Sequence, residues 1–523
     1  MTARIVIAGT TSGAGKTTVA SGLMAAFSAR GLTVQGAKVG PDFIDPSYHA
    51  LATGRPARNL DAFLSGPELI APLLAHATAH AAGTGAASRP ADLAVIEGVM
   101  GLYDGATGRG ELASTAHVAK LTRSPVLLVV DAASMARSVA ALVLGYRNFD
   151  LGVHVAGVIL NKVGSPIHAE LLREALEPIG VPVLGALPRD DRVEAPSRHL
   201  GLVPVGERDE RARAAQAVLA ERVAASCDLE GIERLARSAP PLGAFAWSAA
   251  AALAGAGTTG AAGRADHGDA PDAAAGPRGA GGPGAAHAPG AAEAPGTSGP
   301  PRLAAVPDLT TTPAPDPADA PGHRRPVVAY AAGAAFTFRY AENLELLRAA
   351  GADLVPFDPL ADDGPPAGTD GLYLGGGFPE EHGAALAENG AARSAVAALA
   401  GRGAPVVAEC GGLLYLGTTL DGHEMCGVLP GVGHLGKRLT LGYREATAAA
   451  DSPLWAAGAD VRGHEFHYST LTPEATDPPA WVLRSRARER AEGVATPTVH
   501  ASYLHTHWAA FPQAAARFVA ACR

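Results

Sequence analysis

The stretch from residue 238 to residue 325 limits the fold more than any other part of the chain. Its middle reads "GRADHGDAPDAAAGPRGAGGPGAAHAPGAAEAPGTSGPP", Ala, Gly and Pro with almost no large apolar residue. Such a composition buries too little surface to offset the entropy lost on ordering. It reads as a disordered linker, 238–325, that divides the chain into an N-terminal part, 1–237, and a C-terminal part, 326–523. A chain of 523 residues is also longer than one core usually supports.

Both flanking parts alternate short apolar runs with helical stretches. In the first, Ile5–Ala8, Val34–Lys38, Leu93–Ile96, Val126–Val130, Val155–Leu160 and Val183–Ala186 read as strands. In the second, Val327–Ala331, Leu354–Pro356, Gly371–Leu374 and Val406–Ala408 do. Unbroken runs such as "VLLVV" suit parallel strands buried on both faces. The expected fold class is α/β, with a doubly wound sheet in each half. With 47% hydrophobic but only 5% aromatic residues, the cores are expected to be built from Ala, Val and Leu.

"IVIAGTTSGAGKTTVASGL" is a strand, a glycine-rich turn and a helix. It nearly meets the phosphate-loop pattern, with Thr10 at the position of the first glycine. Gly13 and Gly15 let backbone N–H groups face a phosphate at a helix start. Lys16 reaches the outer phosphates, Thr17 offers its hydroxyl to Mg²⁺, and Thr18 completes the nucleotide-binding set. Acidic residues at strand C-termini lie at the ligand edge of such a sheet, which makes Glu97 and Asp45 metal candidates, with Asp42 and Asp104 in reserve. Asn161, at the end of "GVILN", is either an adenine contact or a plain strand-end turn. Lys38, Asp45, Arg55 and Arg58 are candidate substrate contacts, although an exposed arginine is usually only solvated.

"PVVAECGGLLYLG" places Cys410 between a strand and a helix. A helix N-terminus lowers a thiol pKa and favours the thiolate. Gly411 can bring its N–H to an oxyanion, and Gly376 and Gly377 in "YLGGGFPE" offer further donors. The bland alternative is a buried structural cysteine. Catalysis needs a base, and "HASYLHTHW" supplies His505.

The formal net charge of −9 argues against a general nucleic-acid binder. Four scattered cysteines without metal spacing fit a reducing compartment. No segment reads as a membrane span, and the N-terminus lacks the build of a secretion signal. A cytoplasmic protein is expected.

Taken together, "ECGGLLYLG" and "ASYLHTHW" resemble the class I glutamine amidotransferase domain in its cobyric/cobyrinic form. "GTTSGAGKTT", "KVGPDFIDP" and "EGVMGLYDG" are similar to the ATP domain of the cobyrinic acid a,c-diamide synthases, and "LGYREA" and "RGHEFHYS" also look like that family. The resemblance covers nearly the whole chain outside the linker. It implies a dethiobiotin synthetase-like P-loop domain joined to a glutamine amidotransferase domain. It also implies ATP- and glutamine-dependent amidation of corrin acetates, with Cys410 as nucleophile and His505 as base. Mg²⁺, ATP and glutamine are the implied cofactor and cosubstrates, and a corrinoid is the implied partner. Oligomeric state stays open, a homodimer included. Two departures stand out: His507 occupies the place where many class I enzymes have Glu, and the linker is longer than the family pattern needs. Rival readings are cobyric acid synthase, whose loop typically has Asp where Gly13 stands, and a P-loop switch protein with a glutaminase-like binding module.

Overall fold

A computed structural model describes residues 2–79, 89–189, 210–258, 324–484 and 489–523. The N-terminal sheet has seven parallel strands: β1 (Ala3–Gly9), β2 (Val34–Val39), β3 (Arg58–Leu60), β4 (Leu93–Glu97), β5 (Val126–Asp131), β6 (Val155–Val163) and β7 (Val183–Pro188). Their order is β3-β2-β4-β1-β5-β6-β7. Strand β1 is buried along its whole length, as an unbroken apolar run between two parallel neighbours requires. Helix α1 (Lys16–Ala29) leaves the turn after β1, and α2 (Ile44–Thr53) follows β2. The chain order reverses at β1, so the edge beyond its C-terminal end is where a ligand crevice forms.

Register explains which polar groups meet there. Lys38 on β2 pairs with both Glu97 on β4 and Asn59 on β3. Ile7 pairs with Glu97, and Asp131 with Asn161. The strands run past their apolar cores to include these residues, because the backbone ladder continues after the side chains turn polar.

In the C-terminal half the strands are β8 (Val327–Ala331), β9 (Asp353–Phe357), β10 (Gly371–Leu374), β11 (Val406–Glu409), β12 (Thr419–Leu420), β13 (His423–Glu424) and β14 (Val432–Ala448). There follow β15 (Asp460–Thr472), β16 (Trp481–Arg484), β17 (Glu489–Glu492), β18 (Val494–Ala495), β19 (Val499–Ser502) and β20 (His505–Thr506). A six-stranded sheet of order β18-β19-β11-β10-β8-β9 is parallel except at its β18 edge. A further, mainly antiparallel sheet is built on the long pair β14–β15 and carries β20 at one edge. That sheet is absent from the sequence reading. Much of β14 is exposed or half-buried, so it lacks the continuous apolar run by which buried parallel strands are recognised.

The two halves do not pack separately. Described residues up to Thr258 and from Arg325 onward make one compact unit, and a single core cluster runs from Val6 and Leu128 to Tyr373 and Phe518. The expected linker is ordered at its start. Arg4 and Arg123 donate to the carbonyls of Pro240 and Pro241, and Trp247 N–H donates to Pro72 O at 3.0 Å. A helix, Ala249–Thr258, packs through Ala252 and Leu253 on the shared core. Alanine-rich sequence is apolar enough to dock when a neighbouring surface is provided, which composition alone does not reveal. Residues 259–323 of the expected linker lie outside the described residues.

Candidate active site

At the β1–α1 turn, Gly13 and Gly15 have positive φ, 78° and 97°, a region glycine enters without steric cost. A Cβ on Gly15 would lie 2.1 Å from Asn161 Nδ2, so the loop admits only glycine there. Asn161 Nδ2 donates to Ala14 O at 2.9 Å, which places this side chain as a brace on the loop. Lys16 Nζ donates to Thr11 O at 3.1 Å and Met100 O at 2.5 Å. These backbone contacts curl the lysine back over the loop. Thr18 is half-buried one residue beyond Thr17.

Beside the loop, Thr17 Oγ1 donates to Glu97 Oε1 at 2.6 Å and lies 3.4 Å from Asp45 Oδ2. Asp45 sits in the first turn of α2 rather than in a loop. Asp42 is used locally: its Oδ1 accepts Ile44 N–H at 2.8 Å. His49 Nε2 is 2.6 Å from the second oxygen of Glu97. Lys38 Nζ is fully buried and donates to Asp45, Glu97 and Gly98 O at 2.5, 2.9 and 3.2 Å. Its three donors are thus engaged, and it draws the two carboxylates together. Burial, with Asp42 and Glu97 nearby, pushes the Asp45 carboxyl up to about 8. Burial also works against ionised Glu97, but Lys38, His49 and Thr17 outweigh it and hold Glu97 well below the usual range. A hydroxyl and two crowded carboxylates converging beside a phosphate loop are the hard-oxygen donor set that Mg²⁺ takes, so these residues fit the metal.

Arg55 and Arg58, expected as substrate anchors, are turned inward. Arg55 bonds Gln35 Oε1, Arg89 O and Ala77 O at 3.0–3.1 Å. Arg58 spans to the C-terminal half, donating to Glu342 at 3.0 Å and Glu345 at 2.5 Å. Both lie on or beside the short strand β3, which the sequence reading missed, and burial of that segment takes their guanidiniums out of solvent.

In the second site Cys410 follows β11 with φ 48° and ψ −99°, a strained conformation for a residue with a Cβ. Its N–H donates to Ser502 O at 2.7 Å and its Sγ faces Phe466 O at 3.9 Å. The resting thiol differs from the sequence expectation. Burial pushes it up, Glu380, Glu409 and Glu465 add to this, and the Gly411 N–H only partly opposes them. A helix of six residues, Gly411–Leu416, does not outweigh a fully desolvated site. Burial, reinforced by His464 and His467, holds His505 well below its ordinary value. Burial thus acts against both the thiolate and the imidazolium.

Donors beside the thiol are narrowed by the backbone. Gly376 N–H is given to Phe338 O at 2.9 Å, which removes it from the expected oxyanion set. A Cβ on Gly376 would meet His505 Cε1 at 2.6 Å, and one on Gly411 would lie 3.0 Å from Gly377 N. Gly376 thus makes room for the imidazole, and the absence of a side chain lets Gly411 lie close to the Gly377 amide. A Cβ on Gly377 would approach Ala335 O to 2.0 Å.

His505 stands on β20, opposite His464 of β15. Neither ring nitrogen has a hydrogen-bond partner among the described residues. The carboxylate facing it is that of Glu409, with Oε2 4.0 Å from Nδ1. Glu409 accepts from Thr506 N, Thr506 Oγ1 and Tyr373 Oη at 3.1–3.2 Å, and burial pushes it up to about 7. His507 points elsewhere, with Nε2 3.5 Å from Glu342 Oε2. Sequence reading did not find Glu409 in this place, although it directly precedes the cysteine, because strand pairing and not spacing brings it to the histidine.

Comparison with known proteins agrees with this division. Residues 5–203 match the CobQ/CobB/MinD/ParA nucleotide binding domain, and residues 327–513 match the CobB/CobQ-like glutamine amidotransferase domain. The hydrogenobyrinate a,c-diamide synthase of Streptomyces coelicolor is 53% identical, over 99% of this chain and 97% of its own. That of Thermobifida fusca is 49% identical, over 99% and 96%. A cobyrinate a,c-diamide synthase from Synechococcus is 38% identical, over 99% and 98%. With two domains in the same order and identity sustained from end to end, the chain belongs to the a,c-diamide synthase family of glutamine-dependent amidoligases.

Proposed function

We propose that this chain uses ATP and glutamine to convert the a and c acetate carboxylates of a corrin ring to amides, with hydrogenobyrinic acid as the substrate. The observation that carries the reading is the presence of two chemically distinct sites in one compact unit. One has a phosphate loop with Thr17, Asp45 and Glu97 beside it. The other has Cys410 on a strained turn, with His505, Gly377 and Gly411 nearby. Support for the cobalt-free substrate comes from the names of the relatives at 53% and 49% identity, compared with 38% for the cobyrinate enzyme. The reading includes no nucleic-acid partner and places the enzyme in the cytoplasm. It is supported there by four free cysteines and by the lack, among the described residues, of a helix long and apolar enough to cross a membrane.

At the second site His505 takes the Cys410 proton as sulfur attacks the glutamine carboxamide. Gly377 and Gly411 N–H groups stabilise the oxyanion. Ammonia leaves with the proton returned by His505, and water releases glutamate from the thioester. At the first site the substrate carboxylate attacks the γ-phosphate, giving an acyl phosphate and ADP; ammonia then displaces phosphate. Lys16 offsets charge on the phosphoryl oxygens. Thr17, Asp45 and Glu97 would hold Mg²⁺, which when bound neutralises phosphate charge. Lys38 and His49 keep the two carboxylates aimed.

The test is incubation with ATP, glutamine and either hydrogenobyrinic or cobyrinic acid, with mass spectrometry to count amides. Two amides on the cobalt-free ring are expected; more than two, or none with either ring, would overturn the reading.

A further inference from the structure

One residue of the ATP half reaches into the wall of the glutaminase site. Phe43 is buried at the end of the segment between β2 and α2, one residue after Asp42 and two before Asp45. Its ring stacks on Phe338, with centroids 3.9 Å apart and planes at 21°. It lies 5.7 Å from both Phe378 and Phe466 and 6.1 Å from the His505 ring. Phe338 in turn meets the His505 ring edge-on at 4.4 Å and exchanges two backbone hydrogen bonds with Gly376, at 2.9 and 3.0 Å. Phe466 supplies the carbonyl that faces the Cys410 thiol.

The other end of the same short segment is tied to the phosphate site. Asp45 Oδ2 holds Lys38 at 2.5 Å and lies 3.4 Å from Thr17 Oγ1. Only Ile44 separates these ends, and the chain just before Phe43 is held in place. Asn59 Nδ2 donates to Gly40 O at 2.8 Å and Asp42 O at 2.7 Å, and Asp42 caps Ile44. With one residue between them, a shift of Asp45 on nucleotide and metal binding has little backbone in which to be absorbed before Phe43. Phe43 and Phe338 lie against the buried imidazole, and Phe378 and Phe466 pack around Phe43, which makes an apolar seam. Such a seam admits neutral ammonia but penalises ammonium and water. Its plug is the one ring that belongs to the ATP half.

Resting on the two-site reading above, the geometry points to Phe43 as the positioning residue that couples the sites. Its ring closes the seam beside His505 and yields when ligands occupy Thr17 and Asp45, so that glutamine is consumed only when the acyl phosphate can be made.

The test compares wild type with Phe43→Ala and Phe43→Leu in the full chain, counting glutamate released per amide formed, with glutamine and separately with ammonium chloride. Wild type should release about one glutamate per amide. Phe43→Ala should raise that ratio on the order of tenfold while ammonia-driven amidation stays within about twofold, and Phe43→Leu should fall between. An unchanged ratio in both variants, or parallel loss of the ammonia-driven rate, would overturn the assignment. A second arm uses wild type alone: alkylation of Cys410 by iodoacetamide should quicken when MgATP is added, and an unchanged rate would also overturn it. Because this arm needs no corrinoid turnover, it separates failure of the coupling from failure of the proposed substrate.

Discussion

Arg58 on β3 and Glu342 in the helix Ala341–Ala349 form a buried ion pair, 3.0 Å apart, that joins the nucleotide half to the glutaminase half. Glu345 completes the arginine's fork at 2.5 Å and also meets His76 at 2.9 Å. Truncating one member of such a set leaves an unpaired buried charge. Arg58→Ala should cost about 3–5 kcal/mol, read as a lower midpoint in chemical unfolding. Burial acts to raise the Glu342 carboxyl, but Arg58 and His507 outweigh it and hold it down at about 2. A carboxyl with a depressed folded pKa stabilises above its unfolded value and loses that contribution as pH falls through the folded one. The gap between wild type and Glu342→Gln should therefore be widest above pH 5 and should narrow towards pH 2. A gap independent of pH would remove the pair from this role.

Cys410→Ser should abolish glutamine-driven amidation and spare the reaction driven by ammonia, since the phosphate site is separate. Lys16→Ala should lower both by about 100-fold or more, because charge stabilisation at the phosphate is common to them. Equal loss of both reactions in Cys410→Ser would contradict the division of labour.

Glu409 faces His505 from one residue before the nucleophile. If it orients the imidazole, Glu409→Gln should cost about 100-fold or more in glutamine-driven kcat with the ammonia-driven rate unchanged. Burial lifts this carboxyl from 4.5 to about 7. A raised folded pKa means that the folded state binds the proton more tightly, so stability is present below pH 4.5 and lost as pH rises through 7. Thermal midpoints of wild type should fall relative to Glu409→Gln between pH 5 and pH 8. Parallel curves would show that the group does not titrate there.

His49 aims Glu97 through a 2.6 Å contact at its second oxygen. His49→Gln should raise the Mg²⁺ concentration for half-maximal ammonia-driven activity by about 10- to 100-fold. An unchanged metal titration would leave His49 a packing residue only.

The phosphate loop, the parallel strands around it and the elbow at Cys410 were legible in sequence because each is local. Apolar runs fall at strand positions, glycines fall where φ must be positive, and chemistry-bearing residues follow the runs directly. Glu97 and His505 could be named as candidates from their motifs, and the structure sets them beside Thr17 and near Glu409 respectively. The fates of Arg55 and Arg58 could not, because whether an arginine meets solvent, substrate or a glutamate depends on what packs over it.

Sequence alone determined the two domain types, most of the parallel strands and the two reaction types. Only the tertiary structure decided that Cys410 is buried where its thiol is pushed up, that Glu409 rather than His507 faces the histidine, and that Phe43 packs against the other half. Desolvation and ring contacts between segments hundreds of residues apart arise only when two sheets are packed into one core, and no periodicity along a chain records that packing.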